Sequence, residues 1–473
     1  MVPRLHPDLR ALLVACRSAP ADDVPRLVLA DWLDENADAA GLPNANDAHA
    51  RAALIRVQVE LARPSCDDGR VTQLRAAESR LLTAHAADWL GELAATIDHL
   101  RGRPFGFGSD LPAYAHPPFR FDPLSTRGGW QFARGLLRID LEPTELRNRA
   151  LATWFASPLA EWVDEARVTL AGSAVLEQLA VPDALRPYLG VRYTIGAHVT
   201  PMMRLPNPQP EPLSAKRCRQ LLDCANFGFV RSLTINLSAV EAGLLPLLPG
   251  AAVGNLRYLS VRAPLGDPGA ALLARAALIN LSALDISACE IGAGGLQLLA
   301  NSPHLRQLVS LTAYRNSFGC DGTHALATSP LAERLRVLEL QNTGLGDRGV
   351  AALAASPLFD RLTGPGLNLS MNPIADAGAA ALAGCPYLAR FTELILRECR
   401  VGDKGAKALA ASPHLASLTY FDLWNNRVGD PGARAIAAST HLHHVRELSL
   451  RDNPITRRAR EALEARFGPR VHV

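Results

Sequence analysis

From about residue 226 onward, leucines alternate over short stretches, as in Leu338-Glu339-Leu340 and Leu448-Ser449-Leu450, and the apolar positions then switch to helical spacing. A period of 2 followed by a period of 3.6 predicts strand, turn, helix. Aligned against itself, the chain repeats the unit LxxLxLxxNxLGDxGAxALAxSPxL, clearest at 335–358 and 418–439. The Asn position is held in turn by Ser238, Pro264, Cys289, Asn316, Thr343, Asn372, Cys399, Asn426 and Asn453, at steps of 26, 25, 27, 27, 29, 27, 27 and 27 residues. No single unit can bury its own leucines, so successive units must stack into a continuous core. The expected fold is therefore α/β: a curved solenoid with parallel strands on the concave face and helices on the convex face, preceded by a small helical domain. Helix should outweigh strand.

The ladder positions have a physical job. An Asn just after a strand can bond backbone groups of its own turn and of the adjacent one, which would otherwise be buried unpaired. Thr343, Cys289 and Cys399 offer fewer bonds, and Pro264 offers none. Asp347, Asp376, Asp403 and Asp430 each stand two residues before a glycine at a helix start, where a carboxylate is expected to accept from the first free amides of its own helix. Helices should end near Ser-Pro at 302–303, 329–330, 356–357 and 412–413.

The unit resembles the ribonuclease-inhibitor type of leucine-rich repeat, which also occurs in Ran GTPase-activating proteins and in many bacterial proteins. The resemblance covers roughly 226 to 473 and implies the solenoid and a role in holding another protein. A GTPase-activator-like regulator is the alternative it raises.

The first half is organised differently. Apolar residues at helical spacing fall at Leu9, Leu12 and Leu13, at Leu27, Leu29, Trp32 and Leu33, and at Leu54, Ile55, Val57 and Leu61, predicting three or four short helices within 1–95. Asp22 and Asp23 before Pro25 mark a helix start. Pro25 to Leu33 (PRLVLADWL) and Leu54-Ile55-Arg56-Val57-Gln58 resemble the repeat-companion domain that precedes leucine-rich repeats in bacterial paralogues, with an insertion between the two motifs and Leu54 in place of the usual aromatic. Residues 96–130 form a Gly/Pro-rich linker or packed loop. Residues 131–225 read as a degenerate first repeat, since Ile139-Asp140-Leu141 precedes Ser157-Pro158 at the interval seen in good repeats, with an insertion within 171–229.

Composition removes most other function classes. With 49 basic and 46 acidic residues the net charge is +3, which favours neither nucleic acid nor an anionic membrane. No apolar run reaches the roughly 18–20 residues of a membrane span, and the N-terminus lacks an apolar leader segment; a cytoplasmic protein is expected. Alanine abundance with only three lysines (Lys216, Lys404, Lys407) suggests a GC-rich bacterial genome. The eight cysteines form no CxxC pair, and no P-loop, HExxH, GxSxG or EF-hand motif occurs. Asp22, Asp23, Asp31, Asp34 and Glu35 are better read as caps and a solvated helix face than as a cation site. Neither an enzyme nor a cofactor is expected.

What remains is a binding surface. In each strand the residue between the leucines and the one after the second point away from the core: Thr312 and Tyr314, Glu339 and Gln341, Asn368 and Ser370, Ile395 and Arg397, Asp422 and Trp424, Ser449 and Arg451. The mixture of Tyr, Trp and Arg suits a protein interface. The candidate contact residues are Tyr314, Glu339, Gln341, Asn368, Arg397, Tyr420, Asp422, Trp424 and Arg451, with Trp424 as anchor and a protein of unknown identity as partner. Trp424→Ala combined with Arg397→Ala is expected to weaken binding and leave stability nearly unchanged.

Overall fold

A computed structural model describes residues 5–18, 22–42, 45–62, 68–90, 93, 129–141, 145–147, 149–171, 176, 179–195, 215–236, 245–250, 253–468 and 471–472. The chain divides into two compact units, Met1–Tyr193 and Thr194–Val473.

In the first unit, helices α1 (Pro7–Ser18), α2 (Val24–Glu35), α3 (Ala45–Leu61) and α4 (Asp68–Leu90) precede strands β1 (Gly129–Ala133), β2 (Leu136–Leu141), β3 (Val163–Ala171) and β4 (Leu189–Ile195). β1 and β2 form an antiparallel hairpin, and β2 runs parallel to β3. Between β2 and β3 lie the helix Arg149–Phe155, Ser157 and a 3-10 turn over Pro158–Trp162, the same strand, helix, Ser-Pro order as in the later repeats. Of the expected 96–130 linker, residues up to 128 fall outside the described residues. Within 171–229 a strand, β4, and a helix, Ala215–Asp223, stand where only an insertion was expected.

The helices do not form a core of their own. Leu9, Leu13, Leu29, Leu33, Ala52, Ile55 and Val59 pack with Leu136 of the hairpin and Trp162. The Leu54–Gln58 motif makes the junction. Gln58 Nε2 donates to the Phe132 carbonyl at 2.9 Å, and its Oε1 accepts from the Gly135 N–H at 2.7 Å. Gly135 has φ +83°, and a Cβ there would collide with Ile55 Cγ1; glycine is required both for the turn and for the approach of α3. The acids of the first helices are engaged: Arg56 reaches Asp31 at 2.8 Å and Asp34 at 2.5 Å, and Asp22 accepts from the Val24 N–H at 2.9 Å.

The second unit is the solenoid. Strands β5 (Val230–Asn236), β6 (Tyr258–Arg262), β7 (Ala283–Asp285), β8 (Ser310–Thr312) and β9 (Val337–Glu339) pair in parallel, each with the next. So do β10 (Gly366–Asn368), β11 (Glu393–Ile395), β12 (Tyr420–Asp422), β13 (Glu447–Ser449) and β14 (Val471–His472). Leu284 and Leu311 share a register column in the first ladder, and Leu367, Leu394, Phe421 and Leu448 one in the second; all six are buried. Burial of such a side chain contributes roughly 1.5–3 kcal/mol. The helices, such as Asp347–Ala355 and Asp403–Ala410, pack on the other side of these leucines. Packed helices need about 8–10 Å between axes and strands only about 4.8 Å, so the stack curves with its strands inside.

Between β9 and β10 the strand ladder is interrupted. This is the repeat with the 29-residue step, and the two extra residues are accommodated around Gly364 (φ +129°) and Pro365. Thr363 N–H still donates to the Arg336 carbonyl at 2.7 Å, and Asn342 N–H to the Ser370 carbonyl at 3.0 Å, so pairing resumes on either side.

One expectation is corrected. The repeated aspartates do not cap their own helices. Asp376 Oδ1 accepts from the N–H groups of Gly402 (2.7 Å) and Gly405 (2.8 Å), and Asp403 Oδ1 from those of Gly429 and Gly432 (2.9 Å each). Asp347 accepts from Ala375 and Asp430 from Thr456. Each acid sits in the first turn of one helix and neutralises the start of the next, so it joins repeats together. Glycine is needed at 405 because a Cβ would stand 2.8 Å from Asp376 Oδ1. Asp376→Ala should therefore cost about 1–2 kcal/mol and speed amide hydrogen exchange at Gly402 and Gly405 about tenfold. Exchange at Ala375, whose partner is Asp347, should stay as it is; faster exchange at Ala375 alone would restore the own-helix assignment.

Candidate functional site

The turn after each strand sets the geometry of the strand face. Ala288, Arg315, Asn342, Met371, Glu398, Asn425 and Asp452, the residues just before the ladder positions, all have φ between 51° and 60°. Asn and Asp tolerate this left-handed conformation best, and three of the seven are Asn or Asp. The turn brings each ladder side chain inward. Asn316 Nδ2 donates to the carbonyls of Ile286 (2.9 Å) and Ala313 (2.8 Å), and its Oδ1 accepts from Ile291 N–H at 3.0 Å. Asn372, Asn426 and Asn453 bond in the same manner. Thr343 Oγ1 donates to the Leu340 carbonyl at 2.9 Å, and the Cys289 thiol to that of Val261 at 3.1 Å. Burial pushes the Cys289 thiol up to about 12 and the Cys399 thiol up to about 11, so both remain protonated donors. Ser238 lies outside the described residues.

On the face itself the candidates separate into two groups. Tyr314, Glu339 and Gln341 belong to the β5–β9 ladder; Asn368, Arg397, Tyr420, Asp422, Trp424 and Arg451 belong to the β10–β14 ladder. Arg397, Tyr420, Asp422 and Trp424 are brought together. Asp422 Oδ2 accepts from Arg397 Nε at 2.5 Å and from the Tyr420 hydroxyl at 2.8 Å, Arg397 Nη2 donates to Tyr420 Oη at 2.8 Å, and Asp422 Oδ1 accepts from Trp424 N–H at 2.9 Å. Burial alone would lower the Arg397 pKa, but the Asp422 carboxylate outweighs it and the net direction is upward. Burial, then the same carboxylate, pushes the Tyr420 phenol up. Trp424 is half-buried and its indole N–H donates to Asp452 Oδ2 at 2.5 Å.

The structure corrects two of these positions. Asp422 is 0% exposed and Tyr420 is buried as well. They point away from the leucine core as strand alternation demands, but the longer side chain of Arg397 on the neighbouring strand covers them. They position Arg397 and cannot touch a partner directly. Arg397→Ala would thus leave Asp422 buried without its counterion, so the expectation that this change spares stability is also corrected.

Elsewhere on the face, Asn368 Oδ1 accepts from the N–H and hydroxyl of Ser370 at 3.1 and 2.7 Å, and Gln341 Nε2 donates to Glu339. Arg451 is exposed, its Nη2 3.4 Å from His472 Nδ1. Among these residues Tyr314 is exposed, at 40%, and so is Met371, at 43%, in the turn after β10. Sequence reasoning missed Met371, because the signal for it is the turn conformation before each ladder residue and not the strand alternation. Among the described residues, no three His, Cys, Asp or Glu side chains are gathered as metal ligands, and no helix is long and apolar enough to cross a membrane.

Comparison with known proteins accords with this geometry. The leucine-rich-repeat family matches residues 277–300, 335–354, 367–383, 391–410, 414–437 and 441–463. No curated protein matches the chain. Among solved structures, an internalin from Listeria monocytogenes aligns over 67% of this chain and 90% of its own, at 18% identity and a TM-score of 0.35, too loose an overlap to transfer anything from it. The chain thus carries leucine-rich repeats within residues 277–463.

Proposed function

We propose that the strand face of the repeats binds a protein partner and carries out no catalysis. The observation that supports this most is the exposure of Tyr314 and Met371 on a face that scaffold packing alone leaves uncovered. Tyr, Trp, Met and Arg are the residue types enriched at interface centres. Arg397 adds a guanidinium already held by Asp422 and Tyr420, so little rotamer entropy is lost when it meets a partner. The contact set is Tyr314, Met371, Glu339, Gln341, Asn368, Arg397, Trp424 and Arg451, with Tyr420 and Asp422 as positioning residues.

The same reading takes the repeats as ribonuclease-inhibitor type and the preceding helices as the bacterial repeat-companion domain, working in a bacterial cytoplasm without cofactor, nucleic acid or membrane. The GTPase-activator alternative rests on likeness of the repeats alone, and the geometry adds nothing to it. Tyr314→Ala and Trp424→Ala are the clean probes because neither unpairs a buried charge. Partner recovered by affinity capture on the wild-type chain should fall at least tenfold on the double variant, with the thermal midpoint little changed. Undiminished recovery of the same partner on the double variant would move binding off this face.

A further inference from the structure

On the edge of the solenoid where helices end and strands begin, four arginines from three consecutive repeats gather around one turn. Arg334 and Arg336 precede β9, Arg361 ends the short helix Leu358–Arg361 before β10, and Arg390 ends the 3-10 turn Pro386–Arg390 before β11. Arg390 Nη1 donates to the Asp360 carbonyl, which seats its guanidinium beside Arg361. Thr363 N–H donates to the Arg336 carbonyl at 2.7 Å, laying the same turn against Arg336. Arg336 Nη1 is itself held on the carbonyls of Leu335 (3.3 Å) and Arg334 (3.4 Å). Arg334 lies two residues before Arg336, and the charges of Arg361 and Arg390 both act on Arg336. Arg334, Arg361 and Arg390 are exposed, and Arg336 is half-buried.

These charges are not neutralised as other arginines of this chain are. Arg56, Arg138 and Arg397 each meet a carboxylate within 2.8 Å, whereas among the described residues none of these four forms an ion pair. Burial lowers the Arg336 pKa, and Arg361 and then Arg390 lower it further by repulsion, against a smaller pull from Asp360. Arg334, Arg361 and Arg390 each stand five residues after the residue preceding a proline (Ser329, Ser356 and Cys385), so they hold one position in three successive repeats. Two guanidiniums are fixed on backbone carbonyls, and among the described residues no carboxylate pairs with either, which suits a compact, multiply charged anion. A nucleic acid would need a longer basic track and exposed aromatic platforms; the chain is nearly neutral at +3, and the aromatic beside Arg390, Phe391, is buried.

We propose that Arg334, Arg336, Arg361 and Arg390 form a binding site for a phosphorylated segment of a protein. A phosphate monoester carries about twice the charge of a carboxylate and accepts bidentate bonds from a guanidinium fork, so phosphorylation of the segment switches binding on.

The test is fluorescence anisotropy with the full chain and a labelled Gly-Ser-pSer-Gly-pSer-Gly peptide, its unphosphorylated form and a uridine hexanucleotide. The phosphopeptide should bind at least tenfold more tightly than either of the others. The variant Arg334→Gln/Arg361→Gln alters two exposed side chains and leaves both carbonyl-held arginines in place; it should lose that preference with an unchanged thermal midpoint. Arg334→Lys/Arg361→Lys keeps the charge and should still bind severalfold more weakly. Equal binding of the two peptides overturns the proposal, and so does full affinity in the lysine variant, which would mean a diffuse field. RNA bound as tightly as the phosphopeptide also overturns it.

Discussion

Arg51→Ala should destabilise the first unit by about 3–5 kcal/mol, the cost of breaking a buried pair by removing one partner. Arg51 is 3% exposed at the centre of the helical region, with its Nε 3.2 Å from Asp47 Oδ2. Its guanidinium carbon lies 4.2 Å from the ring centre of Trp162 and 4.8 Å from that of Trp89, a cation held between two indoles. Asp47 is buried too and also accepts from Trp89 Nε1. Without Arg51 that carboxylate loses a buried ion-pair partner. Arg51→Lys should recover less than half of the loss, because an ammonium cannot stack as a plane between two rings. Protection of the α3 amides against hydrogen exchange, read for both variants, checks the expectation; wild-type protection in Arg51→Ala would show that the charge contributes nothing.

Asn372→Ala should cost about 3 kcal/mol and Asn426→Ala about 2 kcal/mol, since buried backbone groups are left unpaired. The difference follows from the interrupted ladder. Asn372 is 2% exposed, and its Oδ1 accepts from two amides of the preceding repeat, Thr343 at 2.9 Å and Leu345 at 3.0 Å. Its Nδ2 donates to the carbonyls of Leu340, Leu369 and Ser370 at 2.8, 3.0 and 3.2 Å. Asn426 also donates three times but, among the described residues, accepts only from Val401 N–H, at 3.0 Å. Asn372 thus bridges two repeats where the strands do not. Asn372→Cys should be milder than Asn372→Ala, because Cys399 fills the equivalent position with contacts of 3.5 and 3.6 Å to carbonyls. In urea unfolding, Asn372→Ala should be the least stable, Asn372→Cys should lie between, and the wild type should be the most stable. An Asn426→Ala loss equal to or larger than that of Asn372→Ala would remove the bridging role.

The repeat, its strand and helix periods, the ladder positions and the Ser-Pro helix ends were all legible in the chain alone. Each of these depends on side chains within one unit, and a local pattern reports local burial. The outward column of Tyr314, Arg397, Trp424 and Arg451 was legible for the same reason. What required three dimensions is whatever one unit does to another. Asp376 and Asp403 had the composition and place of ordinary caps, yet they bond the following helix, because the stacking offset brings that helix start closer than their own. Asp422 alternates outward but is covered by Arg397 from the strand beside it. Ile55 and Gln58 had helical spacing, but nothing in that spacing shows that they seat the β1–β2 turn, since the partner Gly135 is 77 residues from Gln58 along the chain. The 29-residue step was visible as a number, but only in the folded stack does it interrupt the strand ladder; only there, too, do the charges of Arg361 and Arg390 act on Arg336, because charge proximity is set by how repeats stack and not by separation in sequence.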